Sequence, residues 1–327
     1  MNVEQKQARL STPLQRTARE FKTELSMLLI FILFFVVMSF ANEYFFTPKN
    51  LMNVMSQVSN NAIIAIGMTL VIVTAGIDLS VGATLGLSAM VGGMVLQSTQ
   101  NVTLSICVML AIGLVVGLIN GVLVGYMEMP AFIVTLGMMQ ICRSLGYVIS
   151  DGNSCSGFPE AFGFLGKGKL IGQISVYQVF ILLLFAIFIF VMAKTKFGRY
   201  LYAIGSNPEA ARVSGINIKF NTMMAYVFCG LLSATSGWLM TSRLMAVDPT
   251  YGKDMEMDAI AAVVIGGTSM MGGKGTLWGT LIGVFLVGFL RNALNLIGLN
   301  PFWQGSAVGA VIIIAVLIER LSSKRAK

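Results

Sequence analysis

Ten apolar runs follow one another through this chain and leave almost no room for anything else. They lie at roughly 25–40, 57–75, 79–97, 104–124, 131–149, 176–193, 220–242, 258–271, 276–297 and 303–319. Crossing a bilayer takes about 20 apolar residues per helix. A soluble globule of 327 residues could not hide them all: 56% of the residues are hydrophobic and only 11% are charged, with a mean hydropathy of +0.82. The runs therefore predict an all-α polytopic membrane protein of about ten transmembrane helices, some broken or re-entrant, without a sizeable soluble domain. The run at 258–271 is the shortest and is compatible with either a full span or a re-entrant segment.

Charge placement tests the count. With the N-terminus inside, the inner segments are 1–24, the breaks near 76–78 and 125–130, 194–219, 272–275 and 320–327. These carry 15 of the 22 Lys and Arg, against 4 in the outer loops: Lys49, Lys167, Lys169 and Lys253. An excess of basic residues in cytoplasmic loops is the usual arrangement, and it places both termini in the cytoplasm. The stretch before Leu25 is polar and basic, and no small-x-small cleavage site follows the first run, so it reads as a tail rather than a cleaved signal. Residues 1–24 and 320–327 are then cytoplasmic tails on one membrane domain, 25–319, whose main cytoplasmic loop is 194–219. The net charge of +8 belongs to the membrane edges rather than to a nucleic-acid surface. Cys155, in the outer loop 150–175, is expected to be the most reactive native thiol.

Several chemistries are absent. The chain has no histidine, and its four cysteines, Cys107, Cys142, Cys155 and Cys229, form no CxxC pair. Gly272-Gly273-Lys274-Gly275 is not a nucleotide loop: the position needing glycine is Thr268, and Gly275 stands where Ser or Thr is needed. No catalytic residue, metal site or cofactor is expected, and transport is the default. The rival readings are a stand-alone channel or secondary carrier for a small neutral polar solute, and a membrane scaffold.

Gly113, Gly117 and Gly121 recur at four-residue spacing. Small residues so placed let helix backbones approach closely in lipid, or serve as hinges. The segment GRYLYAIGSNPEAARVSGINIK, Gly198 to Lys219, is too polar to enter the bilayer. Ser206 or Asn207 can cap a short helix with Pro208 at its first position and Glu209 in its first turn; Gly215 can close it. That helix is either a connector resting on headgroups or a docking knob for a soluble partner.

Asp78, in Gly76-Ile77-Asp78-Leu79-Ser80, is costly between two apolar runs unless it finds a partner. Asp78 or Ser80 caps the next helix, or the segment is a gate near the cytoplasmic end of a path. Asn61, Thr69, Asn292 and Asn295 suit either a path for a neutral, hydroxyl-rich solute or hydrogen bonds between helices. Arg143 and Arg291 read as snorkelling toward the outer surface. Asp248, Asp254, Glu256 and Asp258 read as an outer acidic rim. A Gly-broken pair of runs at 61–97 recurs at 258–297, a weak echo of inverted halves.

The Gly198–Lys219 segment resembles the cytoplasmic coupling loop of sugar-importing ABC permeases, the family that transports ribose, xylose, arabinose, galactose and autoinducer-2. Further matches are NAIIAIGMTLVIVTAGIDLSVGA from Asn61, AFIVTLGMM from Ala131 and MDAIAAVVIGGTSMMGGKGTLWGTLIGV from Met257. The resemblance runs over about 45–319 and is strongest to the ribose-transporting members. It implies a bacterial inner-membrane permease subunit that pairs with a second copy of itself. It also implies a cytoplasmic ABC ATPase, docked on Gly205, Ser206, Asn207, Pro208, Glu209, Ala210, Ala211, Arg212 and Gly215, and a periplasmic sugar-binding protein. Asn61, Thr69, Asp78, Ser80, Asn292 and Asn295 are then the candidates for the translocation path or gate.

Overall fold

The computed structural model describes residues 22–171, 174–300 and 303–310, with residues 313 and 317. Residues 1–21 and 320–327, and part of the last predicted span, 303–319, lie outside the described residues. Among the described residues the regular structure is helical apart from two short ribbons, Cys155–Ser156 paired with Ala246–Val247 and Lys169–Ile171 paired with Ile174–Ser175. Helix α1 is Lys22–Ala41, α2 Pro48–Val73, α3 Val81–Thr99, α4 Val102–Gly125 and α5 Ala131–Ser150. A short α6, Phe164–Lys167, precedes α7, Val176–Lys194; then come α8, Lys196–Ser206, α9, Pro208–Val213, and α10, Ile218–Leu244. Helices α11, Met255–Ile265, and α12, Leu277–Leu296, follow, and residues 303–310 are again helical. Seven of these are long and apolar enough to cross a membrane.

The structure decides two segments that the apolar runs leave open. The link Asn42–Asn50 is helical from Pro48, because the Thr47 hydroxyl accepts the Asn50 N–H at 3.3 Å and proline fits the first helical position. The run 258–271 is a half-helix. Its 11 residues rise about 16 Å, and Gly266–Thr276 follows as a loop. The chain reaches this half-helix from the Cys155 end of the bundle through Ala246–Asp254, which is non-helical and runs down beside α3. A Cβ on Gly93 would press on Val247, and one on Gly86 would stand 2.5 Å from the Tyr251 carbonyl oxygen. Extended chain and half-helix together run from one end of the bundle to the other.

Helices α4 and α10 meet backbone to backbone. A Cβ on Gly117 would stand 2.6 Å from the carbonyl oxygen of Tyr226, on Gly121 2.6 Å from that of Met223, and on Gly125 2.7 Å from that of Lys219. The four-residue glycine spacing is thus a packing seam, and Gly230 of α10 reciprocates against Gly117. Helix α2 is buried along nearly its whole second half, Val58 to Val73 apart from Asn61.

Cys155 is not the exposed thiol that its loop suggested. It is 6% exposed, its Sγ lies 3.7 Å from Met90 Sδ, and burial pushes the thiol pKa up. In intact cells it should therefore react slowly with a membrane-impermeant maleimide; labelling as fast as an exposed loop cysteine contradicts this placement. For the seam, Gly117→Leu forces a side chain into the α10 backbone, a steric conflict worth about 1–3 kcal/mol or more. Its melting temperature in detergent should fall clearly below that of Ala111→Leu, which lies on the exposed face of the same helix. Equal melting would show that the seam tolerates separation.

Candidate functional site

The polar segment after α7 folds as two helices rather than a loop with one. Phe197, Leu201 and Ile204 recur at helical spacing, and Leu201 and Ile204 are buried, so α8 is held down by its apolar face. Thr195 caps it, accepting from the Gly198 N–H at 3.3 Å. Gly205 and Ser206 therefore end a helix, and Asn207, not Ser206, caps the next. Its Oδ1 accepts the Ala210 N–H at 3.0 Å, and Pro208 occupies the first helical position of the six-residue α9. Glu209 and Arg212 pair at 2.5 Å on the exposed side, each matched to its end of the helix. At the C-terminus Gly215 takes φ +80°, and the Ile216 and Gly215 N–H groups return to the carbonyls of Ala211 and Arg212 at 3.1 and 3.0 Å. Ala211 is buried; Glu209, Ala210, Arg212 and Val213 face outward.

The foot of this pair of helices is bonded to two breaks in the bundle. The Gly273 N–H donates to the Val73 carbonyl at 2.9 Å, where α2 ends. Gly205 sits between them, and a Cβ there would overlap the Val73 oxygen. Gly272 and Gly273 take φ +80° and +72°, a left-handed turn that glycine adopts without strain. The Tyr202 hydroxyl adds a hydrogen bond to the Gly275 carbonyl at 2.8 Å. So the GGKG sequence is a backbone junction joining α8, the end of α2 and the loop between α11 and α12.

Beyond Val73 the chain breaks before α3. Asp78 is 1% exposed, and its Oδ1 accepts the Ser80 N–H at 2.9 Å and the Ser80 hydroxyl at 2.6 Å. Ser80 stands at the cap position of α3 without a side-chain cap bond. Its hydroxyl accepts instead from Asn120 Nδ2 of α4 at 2.9 Å. The Thr135 and Tyr226 hydroxyls donate to the Ile77 carbonyl at 3.3 and 3.4 Å, so α4, α5 and α10 all hold this break.

The other path candidates form separate pairs. Asn61 donates to Asp258 Oδ2 at 3.2 Å, and Thr69 and Thr280 share a hydroxyl hydrogen bond of 2.8 Å. Asn292 and Asn50 exchange amide hydrogen bonds at 2.9 and 2.8 Å, and Asn295 accepts from Gln304 at 2.6 Å. Arg291 does not snorkel: it pairs with Asp258 at 2.5 Å. Arg143 donates to the Tyr251 carbonyl at 2.8 Å. Nor do the acids form one outer rim, because Glu256 and Asp258 are 6% and 4% exposed. Asp248 does lie at that end, where hydrogen bonds from the Thr250 hydroxyl, the Ser154 hydroxyl and the Thr250 N–H hold its carboxyl below the usual range. The sequence carried no signal for the Arg291–Asp258 pair, since their 33-residue separation closes only when α11 lies against α12.

Known proteins supply the context. The chain is 48% identical over 297 residues to the ribose import permease protein RbsC of Bacillus subtilis, covering 90% of this chain and 91% of that one. It is 40% identical over 296 residues to the ribose import permease protein RbsC of Escherichia coli K12, covering 89% and 92%. It is 36% identical over 316 residues to the galactose/methyl galactoside import permease protein MglC of Salmonella typhimurium, covering 91% and 94%. The family described as branched-chain amino acid transport system / permease component matches residues 50–317. With all nine motif positions of the capped helix and the bonded breaks inside that match, the chain belongs to this family of multi-pass bacterial ABC-importer permeases, which are not enzymes.

Proposed function

We propose that this permease imports a ribose-like monosaccharide, working as a pair of copies. Both pairing and substrate go beyond family membership. The substrate follows from relatives named for ribose and galactose import that match some nine-tenths of the chain. Amides and hydroxyls inside the bundle, among them Asn61, Thr69 and Asn292, also suit a neutral, hydroxyl-rich solute. The importer draws its energy from a cytoplasmic ATPase and receives sugar from a periplasmic binding protein.

The observation that carries the docking reading is α9: a short helix, capped at both ends, exposed on its Glu209, Ala210 and Arg212 side. In this reading Gly205, Ser206, Asn207, Pro208, Glu209, Ala210, Ala211, Arg212 and Gly215 form the seat for the ATPase. The membrane domain is 25–319, with ten crossings, cytoplasmic tails at 1–24 and 320–327, and 194–219 on the cytoplasmic face. The junction of Gly205, Val73 and Gly273 supports a mechanical role. Force on α9 reaches the break at Asp78 and the foot of α11 and α12 through backbone contacts, so the three move as one unit. Asp78 and Ser80 act as the inner gate element. Asn61, Thr69, Asn292 and Asn295 are joints between segments of the path, since each already holds a partner on another element or turn.

Glu209→Lys reverses a charge at the docking face, and Ala210→Trp adds bulk there. Each should leave insertion intact and cut co-purification of the ATPase and ribose uptake by about tenfold or more, as like-charge contact at an interface does. Full association and uptake in both variants would make α9 a mere connector and favour a stand-alone channel. The purified chain, lacking a phosphate loop, should show no ATP hydrolysis of its own; hydrolysis that persists through repurification contradicts the assignment.

A further inference from the structure

The exposed surface of the bundle is apolar nearly everywhere it would meet lipid. On α4 it presents Leu114, Val115, Leu118 and Ile119, and on α7 Leu182, Leu183, Ile187 and Phe190. Helix α5 differs. One side of its exposed arc is Ile141, Leu145 and Val148, but the other carries Gln140, Ser144 and Tyr147 at helical spacing, all exposed. Gln140 and Ser144 side chains have no hydrogen-bond partner among the described residues. Gln140 stands about 14 Å from the inner end of α5, near the middle of a hydrocarbon layer about 30 Å thick.

A second polar element meets that face. The Tyr251 carbonyl accepts from Arg143 of α5 at 2.8 Å. The next residues form the turn into α11, and a Cβ on Gly252 would stand 3.2 Å from Gly82 Cα. Gly82 follows Ser80, which is hydrogen-bonded to Asn120 of α4, so this turn lies about 10 Å from the inner end of α4. Lys253 and Asp254 are exposed at that depth and have no ion pair among the described residues. Lys253 is therefore not an outer-loop lysine. Next to them Glu256, 6% exposed, leaves Oε2 without a partner. An amide, a hydroxyl and two charges at these depths are costly against acyl chains; they face water or protein.

We propose that Gln140, Ser144, Lys253 and Asp254 form the wall on which sugar in transit makes its contacts, in a water-filled conduit closed by the same face of a second copy. This rests on the reading of the chain as a paired sugar importer. Amide, hydroxyl, ammonium and carboxylate groups together offer donors and acceptors to a ring of hydroxyls, and Gln140 and Ser144 are one turn apart, within reach of one monosaccharide.

The test uses the complete importer in proteoliposomes, with Cys107→Ser to remove the exposed native thiol. Gln140→Cys, Asp254→Cys and the control Ile141→Cys are treated with a cationic methanethiosulfonate reagent during ribose uptake. A thiol reacts as its thiolate, which needs water. Positions 140 and 254 should react about tenfold or more faster than 141, slow when ribose is saturating, and lose uptake on modification while the ATPase stays bound. Equal rates at 140 and 141, no protection by ribose, or disulfide-linked dimers through the thiol introduced by Gln140→Cys in place of labelling would each overturn the proposal. If the importer with only Cys107→Ser takes up no ribose, the substrate reading fails, while the ratio of the rates at 140 and 141 still decides whether the wall is wet.

Discussion

Everything else in this bundle hangs on the seam between α4 and α10. Lipid removes the hydrophobic drive that joins helices in water, so association rests on close packing. Four glycines at four-residue spacing, Gly113 to Gly125, let α4 lie directly on the α10 backbone. The same helix α10 meets α2 where Gly67 faces Cys229 and α3 where Gly237 faces Leu85. A single face of small residues on each partner thus ties four helices into a rigid centre. Only such a centre can hold non-helical chain inside a membrane, because every backbone polar group there needs a protein or water partner.

Two broken segments use that support. The break at 74–80 lies between α4, α5 and α10, with Asp78 folded onto Ser80 and Asn120 behind it. The chain from Ala246 to Thr276 descends beside α3, forms the half-helix α11, and turns back into α12. Asp258 anchors this half-helix twice, to Asn61 of α2 and to Arg291 of α12. Both segments end at the junction of Gly205, Val73 and Gly273, beneath the exposed helix α9. A partner that moves α9 therefore acts on both breaks at once.

Much of this is legible in the sequence. The long runs read directly as helices because lipid demands continuous apolar length, and the Asn207-Pro208-Glu209 start and Gly215 stop are local signals that need no tertiary context. The glycine spacing reads correctly as packing for the same reason. Other features depend on contacts that no local pattern encodes. Charge counting puts Lys253 outside because a polar stretch between runs looks like a loop; the glycines at 82 and 86 let that stretch descend into the bundle instead. Arg291 looks like a snorkelling residue because its partner, Asp258, sits on another helix. Helix α8 reads as loop because its buried residues, Leu201 and Ile204, are few among Arg, Tyr and Gly, and only the junction at Gly205 explains its fixed position.

The central claim is that α9 and the foot of α11 and α12 are one mechanical unit. Spin labels on Val213 and Met271, 86% and 82% exposed, sit on either side of the junction. In the complete importer, the distance between them within one copy can be measured by pulsed electron resonance, with and without a non-hydrolysable ATP analogue. The account predicts that this distance stays the same in both states, while the distance between the two copies' Val213 labels changes. A nucleotide-dependent shift in the Val213–Met271 distance would contradict it.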